Sequence, residues 1–287
     1  MTTARAPRAA RIWRRTLWHL VCAALLALLL YPVLWLISMS FKPAEEIVSS
    51  LALLPRKLVL GNYTEALKGS GGVSVWTFFG NSLTVALLCV LGNVISCALA
   101  AYAFARMRFR MRGPLFAFMI ATLMLPAHVV LIPQYTIFNH LGLVNTFVPL
   151  VLPKFLATDA FFVFLMVQFM RNLPDELGQA ARIDGCGPIR AFTMIFLPLS
   201  KPALVTTAIF TFIWTWNDFL SQLIYLNDPD KYTLPLALRL FIDQTSESSY
   251  GPMFAMSVLT LLPIGLFFLA FQRLLVEGVS TSGMGGA

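Results

Sequence analysis

Residues 81–112 read NSLTVALLCVLGNVISCALAAYAFARMRFRMR: no charged side chain appears before Arg106, and the run closes on Arg106, Arg108, Arg110 and Arg112. A hydrocarbon core of about 30 Å needs roughly 20 consecutive apolar residues per crossing helix, and the stretch 81–105 has that length. Runs of the same kind lie at 17–38, 114–133, 147–170, 202–226 and 253–276. Of the 287 residues 58% are apolar and 12% charged, with a mean hydropathy of +0.77. A soluble domain carries about half apolar and about a quarter charged residues. The sequence therefore predicts an all-α polytopic membrane protein with six transmembrane helices.

The net charge of +8 comes from short basic clusters between apolar runs instead of one basic face, so it marks topology and not nucleic-acid binding. Arg5, Arg8, Arg11, Arg14 and Arg15 precede the first run, and the arginine turn 106–112 follows the second. Arg171, Arg182, Arg190 and Lys201 follow the fourth, and Arg273 lies in the tail. Positive residues concentrate on the cytoplasmic side. The expected arrangement is N-in/C-in, with a cytoplasmic tail 1–16, a membrane domain 17–276 and a cytoplasmic tail 277–287. Within the membrane domain lie an outer loop 39–80, long enough for short helices of its own, and a cytoplasmic loop 171–200. The first run exceeds the usual apolar core of a secretory signal and is read as an uncleaved anchor, with Trp13, Trp18 and Trp35 as interfacial anchors.

Cys22, Cys89, Cys97 and Cys186 show no paired spacing, and His19, His128 and His140 share no helical i, i+3 or i+4 relation. No disulfide framework, metal site or cofactor is expected. A G-x-x-x-x-G-K-[ST] phosphate loop is absent, as are a G-x-S-x-G nucleophile turn and a paired His/Glu metal motif, so no catalytic residue is expected. Any chemical energy must come from another polypeptide. A secondary transporter would show inverted repeats with broken helices, and no convincing repeat is visible.

Residues 171–200 are neither lipid-like nor disordered in composition. Pro174 suits a helix start, Asp175 and Glu176 complement its positive end, and Leu177, Ala180 and Ala181 share a face. Gly185 and Gly187 end that helix. Pro188 opens a second, on which Ile189, Phe192 and Phe196 recur at i, i+3 and i+7 before Pro198 and Pro202. Patterning alone leaves two readings open: a docking knob projecting from the bilayer, or an amphipathic connector lying on it.

Several polar residues fall inside apolar runs. Asp218, with Trp214, Trp216 and Asn217 nearby, is either a translocation-path residue or a packing residue near the outer interface; an ionisable side chain at membrane depth costs about 2.5 kcal/mol or more and needs a reason. Lys154 and Asp159 stand about 140° apart on a continuous helix of 3.6 residues per turn, which keeps them from pairing with each other. Pro126, Pro133, Pro149 and Pro153 interrupt the third and fourth runs. Gly92, Ser96 and Ala100 form a strip that another helix can approach closely.

The segment Gln179-Ala180-Ala181, Gly185 and Ile195-Phe196-Leu197-Pro198 resembles the EAA loop of ABC importer permeases. The resemblance extends to Asn62-Tyr63, Asn81-Ser82, Ala101 to Arg106, Leu131-Ile132-Pro133, Trp216-Asn217-Asp218-Phe219, Tyr232-Thr233-Leu234-Pro235 and Gln272-Arg273 through Gly278. In register these are similar to the carbohydrate, maltose-type subgroup. The resemblance implies a type I (MetI-like) permease fold in the bacterial inner membrane. It also implies a heterodimer with a second homologous permease, a cytoplasmic ATPase dimer and an extracytoplasmic solute-binding protein. The coupling role then falls on Glu176, Gln179, Ala180, Ala181, Asp184, Gly185, Ile195 and Pro198, with Trp214, Asn217 and Asp218 as candidate path residues. Two departures stand out: Gln179 replaces the usual glutamate, and the tail Thr281 to Ala287 lacks the usual lysine-glycine ending.

Overall fold

The structure, a computed structural model, describes residues 8–50, 52–242 and 250–283, with side chains described for 13–50, 52–126, 128–242 and 250–272. The expectations for Arg5 and for residues 284–287 of the tail fall outside the described residues.

The described elements are helices. They are α1 (Arg8–Ser40), α2 (Ala44–Ser49), α3 (Gly61–Lys68), α4 (Val75–Arg106), α5 (Arg112–Thr122), α6 (Ala127–His140), α7 (Val148–Phe155) and α8 (Ala160–Arg171). There follow α9 (Asp175–Ile183), α10 (Pro188–Ala191), a π-helical turn Phe192–Phe196, α11 (Leu197–Leu199), α12 (Lys201–Asn217), α13 (Leu220–Tyr225), α14 (Leu234–Ile242) and α15 (Tyr250–Gly283).

Among the described residues, four helical stretches are long and apolar enough to cross a membrane: Trp13–Ser40, Val75–Arg106, Val148–Arg171 and Tyr250–Gln272. A fifth arises if Pro188–Leu199 and Lys201–Asn217, bent by 75°, count as one. The run expected over 114–133 is divided between α5 and α6. Pro126 occupies the N-cap of α6 in an extended conformation (ψ 127°), because a residue preceding a helix escapes the missing N–H that proline imposes inside one.

The chain divides into two compact units. In the first, Met1–Leu67 with Phe241–Leu259, α1 is exposed on every side from residue 13 to 34. A helix apolar all round suits lipid or another apolar surface. At its end, Asn62 Nδ2 donates to the carbonyls of Ser40 and Lys42, both at 2.9 Å, and the Ser40 and Tyr63 hydroxyls lie 2.7 Å apart. Gly251 is required beside Asn62: a Cβ there would meet Asn62 Oδ1 at 2.4 Å.

In the second unit, Lys68–Leu240 with Thr260–Ala287, α4 is central and packs against α7, α8 and α12. Its small-residue strip receives α7. The Phe155 ring lies where a Cβ on Gly92 would be, 2.5 Å away, and Ser96 Oγ donates to the Lys154 carbonyl at 2.6 Å. Lipid gives helices no hydrophobic reason to associate, so such close approach and polar bonds carry the packing. Asn93 adds a buried amide bond to Thr211 Oγ1 at 2.7 Å, joining α4 to α12. At the start of α4, Asn81 Nδ2 donates to the Asp230 and Tyr232 carbonyls, and Ser82 Oγ accepts from Leu234 N–H at 2.8 Å. Two separated sequence motifs are thus one structural joint.

The stretch Val148–Arg171 is not a continuous helix. It breaks between Phe155 and Ala160, where Ala157 takes a left-handed φ of 53°. That break overturns the expected separation of Lys154 and Asp159, whose Nζ and Oδ2 lie 2.7 Å apart. The 140° argument holds only while φ and ψ stay helical.

Candidate functional site

The loop between α8 and α12 begins with Pro174 at the N-cap of α9, one residue ahead of the helix, followed by Asp175 and Glu176 in its first turn and Arg182 in its last. These charges oppose the partial charges of the helix ends. Gly185 N–H bonds to the Arg182 carbonyl at 3.1 Å and Cys186 N–H to the Ala181 carbonyl at 2.8 Å, with Gly185 at φ 73°. This is a Schellman closure, in which a left-handed residue satisfies the orphan carbonyls of the helix end. Asp184 is the exposed C-cap residue.

Of the small residues on α9, Ala181 is buried whereas Ala180 is exposed. Leu177 is half-buried, so the expected face of Leu177, Ala180 and Ala181 is not covered as a whole. Glu176 and Gln179 are exposed.

The returning limb starts at Gly187 and Pro188 and passes into the π turn Phe192–Phe196. Ile189, on α10 ahead of the π turn, is 81% exposed at the tip, whereas Phe192 and Phe196 at the two ends of that turn are buried. Ile195 is half-buried and Pro198 exposed. The Phe192 and Phe196 rings lie 5.0 and 5.4 Å from the Tyr102 ring of α4, whose hydroxyl donates to the Pro188 carbonyl at 3.1 Å. Burying each phenylalanine contributes about 2 kcal/mol where the alternative is water. Ala181, Ala191, Phe192 and Phe196 join Tyr102, Phe162, Met166 and Met170 in one apolar core. The loop is therefore built into the ends of α4 and α8, while Ile183 (86% exposed) and Ile189 remain uncovered at its tip.

One arginine clamps this arrangement. Arg106, the last residue of α4, donates to the Asp175 carboxylate and to the carbonyls of Met170 and Leu173 at the end of α8, and its guanidinium lies 4.9 Å from the Phe196 ring centroid. Its side chain is 9% exposed. Composition assigns Arg106 to topology; the signal for the clamp is the pairing of Arg106 with an acidic N-terminal turn 69 residues later, and nothing local in the sequence reveals it.

The candidate path residues are not gathered into one polar pocket. Trp214 packs on Phe161, Phe162 and Phe210, and Asn217 Nδ2 returns to the Ile213 carbonyl of its own helix at 2.8 Å. Asp218 sits where α12 ends, and its Oδ1 accepts from Ser221 N–H at 3.1 Å ahead of α13. Trp216 is buried, stacked on Phe212, with its indole N–H directed at the Thr260 carbonyl. Among the described residues no three His, Cys, Asp or Glu side chains converge on a metal-sized site.

Comparison with known proteins places this geometry. The chain is 34% identical over 259 residues to an arabinooligosaccharides transport system permease protein of Halalkalibacterium halodurans, covering 89% of this chain and 91% of that one. It is 31% identical to an sn-glycerol-3-phosphate transport system permease protein of Agrobacterium fabrum, covering 92% and 95%. It is 32% identical to a diacetylchitobiose uptake system permease protein of Streptomyces coelicolor, covering 88% and 83%. In fold it resembles a chain of a bacterial ABC transporter involved in the import of the acidic polysaccharide alginate, with a TM-score of 0.82 at 22% identity, over 94% of this chain and 99% of that one. The model of the family described as binding-protein-dependent transport system inner membrane component matches residues 92–281. The chain belongs to that family: it is a non-catalytic, membrane-spanning permease subunit of an ABC transporter.

Proposed function

We propose that this permease passes a sugar or oligosaccharide inward and receives the drive for it at the loop 174–198. The observation that carries the reading is the pairing of a rigid base with a bare tip. Arg106, Tyr102 and the buried Phe192 and Phe196 bind the loop to the spans, while Ile183 and Ile189 stand almost wholly exposed. Two large apolar side chains bared on either side of one turn of a polar loop fit a protein contact. A partner that closes on the tip would move α4 and α8 with it. Six crossing helices are proposed, with α5 and α6 together as the third and both termini and the loop on the cytoplasmic side, where the basic clusters lie.

One chain of this size rarely encloses a sugar-sized path, so a second related permease, a pair of ATPase subunits and an external binding protein complete the proposed assembly. Another solved relative, a bacterial alginate ABC transporter in complex with an alginate pentasaccharide-bound periplasmic protein, has a TM-score of 0.61 to this chain at 14% identity. Sugar cargo follows from the arabinooligosaccharide and diacetylchitobiose permeases among the relatives. The glycerol-3-phosphate relative, nearly as similar, favours a phosphorylated polyol as the second reading.

Cysteines at Ile183 and Ile189 of the assembled importer test the docking role. They are expected to cross-link to the ATPase subunit with a yield that changes on ATP binding. Cross-links confined to lipid or to the permease itself would refute it. Cargo is settled by which solute, presented with the binding protein, stimulates ATP hydrolysis.

A further inference from the structure

Within the second unit a cleft of about 390 Å³ opens between the end of α4, the turn that follows it, the end of α8 and α9. Its charged lining is Arg106, Arg108, Arg112, Arg171 and Arg182 against a single carboxylate, Asp175. Asp175 is committed to Arg106. Among the described residues no carboxylate lies within ion-pair distance of the other four arginines. Two of those heads are held in place by neutral groups. Arg112 donates to the Ala105 and Met107 carbonyls, both at 3.3 Å, and the Arg171 guanidinium lies 4.8 Å from the Phe116 ring centroid. Arg106 keeps a buried Nε–H without a hydrogen-bond partner. Fixed like charges gathered in so small a volume repel one another, and an anion with several acceptor oxygens removes that cost.

The surroundings of the cleft identify the anion. From 106 to 112 arginine alternates with Met107, Phe109 and Met111, and residues 107–109 are not helical. Arg106, Arg108 and Arg112 line the cleft, while Met107, Phe109 and Met111 remain 39%, 39% and 57% exposed, and Leu115 and Phe118 continue the apolar surface along α5 at 46% and 71%. A soluble anion needs no apolar rim; a lipid needs both. Basic pockets between membrane helices at the interfacial level hold anionic head groups.

We propose that this cleft seats the phosphodiester head group of an anionic phospholipid, with acyl chains lying along Met107, Met111, Leu115 and Phe118. Gln179 and Arg182 of α9 form part of the same wall, so the bound lipid braces the loop proposed for docking. The inference rests on the turn 106–112 lying at a membrane surface, though not on which surface.

The test titrates the assembled importer in detergent with phosphatidylglycerol or phosphatidylcholine and reads bound lipid by native mass spectrometry. Phosphatidylglycerol is expected to bind about tenfold more tightly than phosphatidylcholine, and Arg108→Gln, which removes no hydrogen bond of the fold, to weaken it about fivefold. Arg108→Gln with Arg112→Gln is expected to remove the preference, and the matching double lysine variant to keep most of it. Equal binding of the two lipids, or unchanged phosphatidylglycerol binding in Arg108→Gln, overturns the proposal. So does displacement by glycerol phosphate at equal concentration, which assigns a soluble phosphate, or binding seen only after the ATPase subunits are stripped away, which assigns an acidic protein surface. The cross-linking of Ile183 and Ile189 reports on docking independently, so failure of either idea leaves the other measurable.

Discussion

Lys154 Nζ lies 2.7 Å from Asp159 Oδ2 because the helix between them is broken, not because helical spacing brings them together. Both side chains are about one quarter exposed, so the pair is screened less than a surface bridge and desolvated less than a buried one. Asp159→Asn or Lys154→Met is expected to cost about 1–2 kcal/mol, whereas Lys154→Met with Asp159→Leu costs less than either because no charge is stranded. Thermal melting of the complex in detergent checks this: a double variant melting below both single variants contradicts it.

Arg106 and Asp175 should respond asymmetrically. Asp175 is 85% exposed, and Arg106 retains the Met170 and Leu173 carbonyls without it. Asp175→Asn is therefore expected to cost under about 1 kcal/mol. Arg106→Ala leaves the Leu173 carbonyl and the Phe196 face unpaired and strips the Met170 carbonyl to its bond from Leu173 N–H, at about 2 kcal/mol. ATP hydrolysis in Arg106→Ala should lose its stimulation by loaded binding protein. Equal effects of the two substitutions would contradict the clamp.

Gly185 stands at φ 73° in open space, with nothing within 4 Å of an added Cβ. Only backbone strain opposes substitution there. Gly185→Asn, tolerated in the left-handed region, is expected to keep most uptake. Gly185→Val should cost about 1–2 kcal/mol in the turn and abolish uptake while membrane insertion persists. Uptake assays with parallel membrane fractionation separate these outcomes; a transporting valine variant removes the coupling role from this turn.

Asp218 accepts a backbone N–H ahead of α13. Asp218→Asn should preserve that bond and both uptake parameters, and Asp218→Ala should cost about 1 kcal/mol of stability. A change in KM for Asp218→Asn would return this residue to the translocation path.

The loop shows how far patterning reaches. Pro174, the acidic first turn, Gly185 and Pro188 act through their own φ, ψ and missing or available N–H groups, so helix, turn and helix were legible in order. Which faces are covered was not: Ala180 and Ile189 share a pattern with buried neighbours yet face outward, because coverage depends on Tyr102 and Met170, distant in sequence. The match of Asn81-Ser82 to Tyr232 through Leu234 was visible only as two separate motifs, since a side-chain bond to a backbone carbonyl leaves no mark on the acceptor's identity.

Composition and periodicity alone determined that the chain is helical and membrane-embedded, because those properties add up residue by residue along the chain. Only the tertiary structure decided that the helix breaks at Ala157, that Lys154 meets Asp159, and that Arg106 fastens α8 and α9. A break in φ and ψ redirects every side chain beyond it, and the partner each then meets is set by packing in three dimensions.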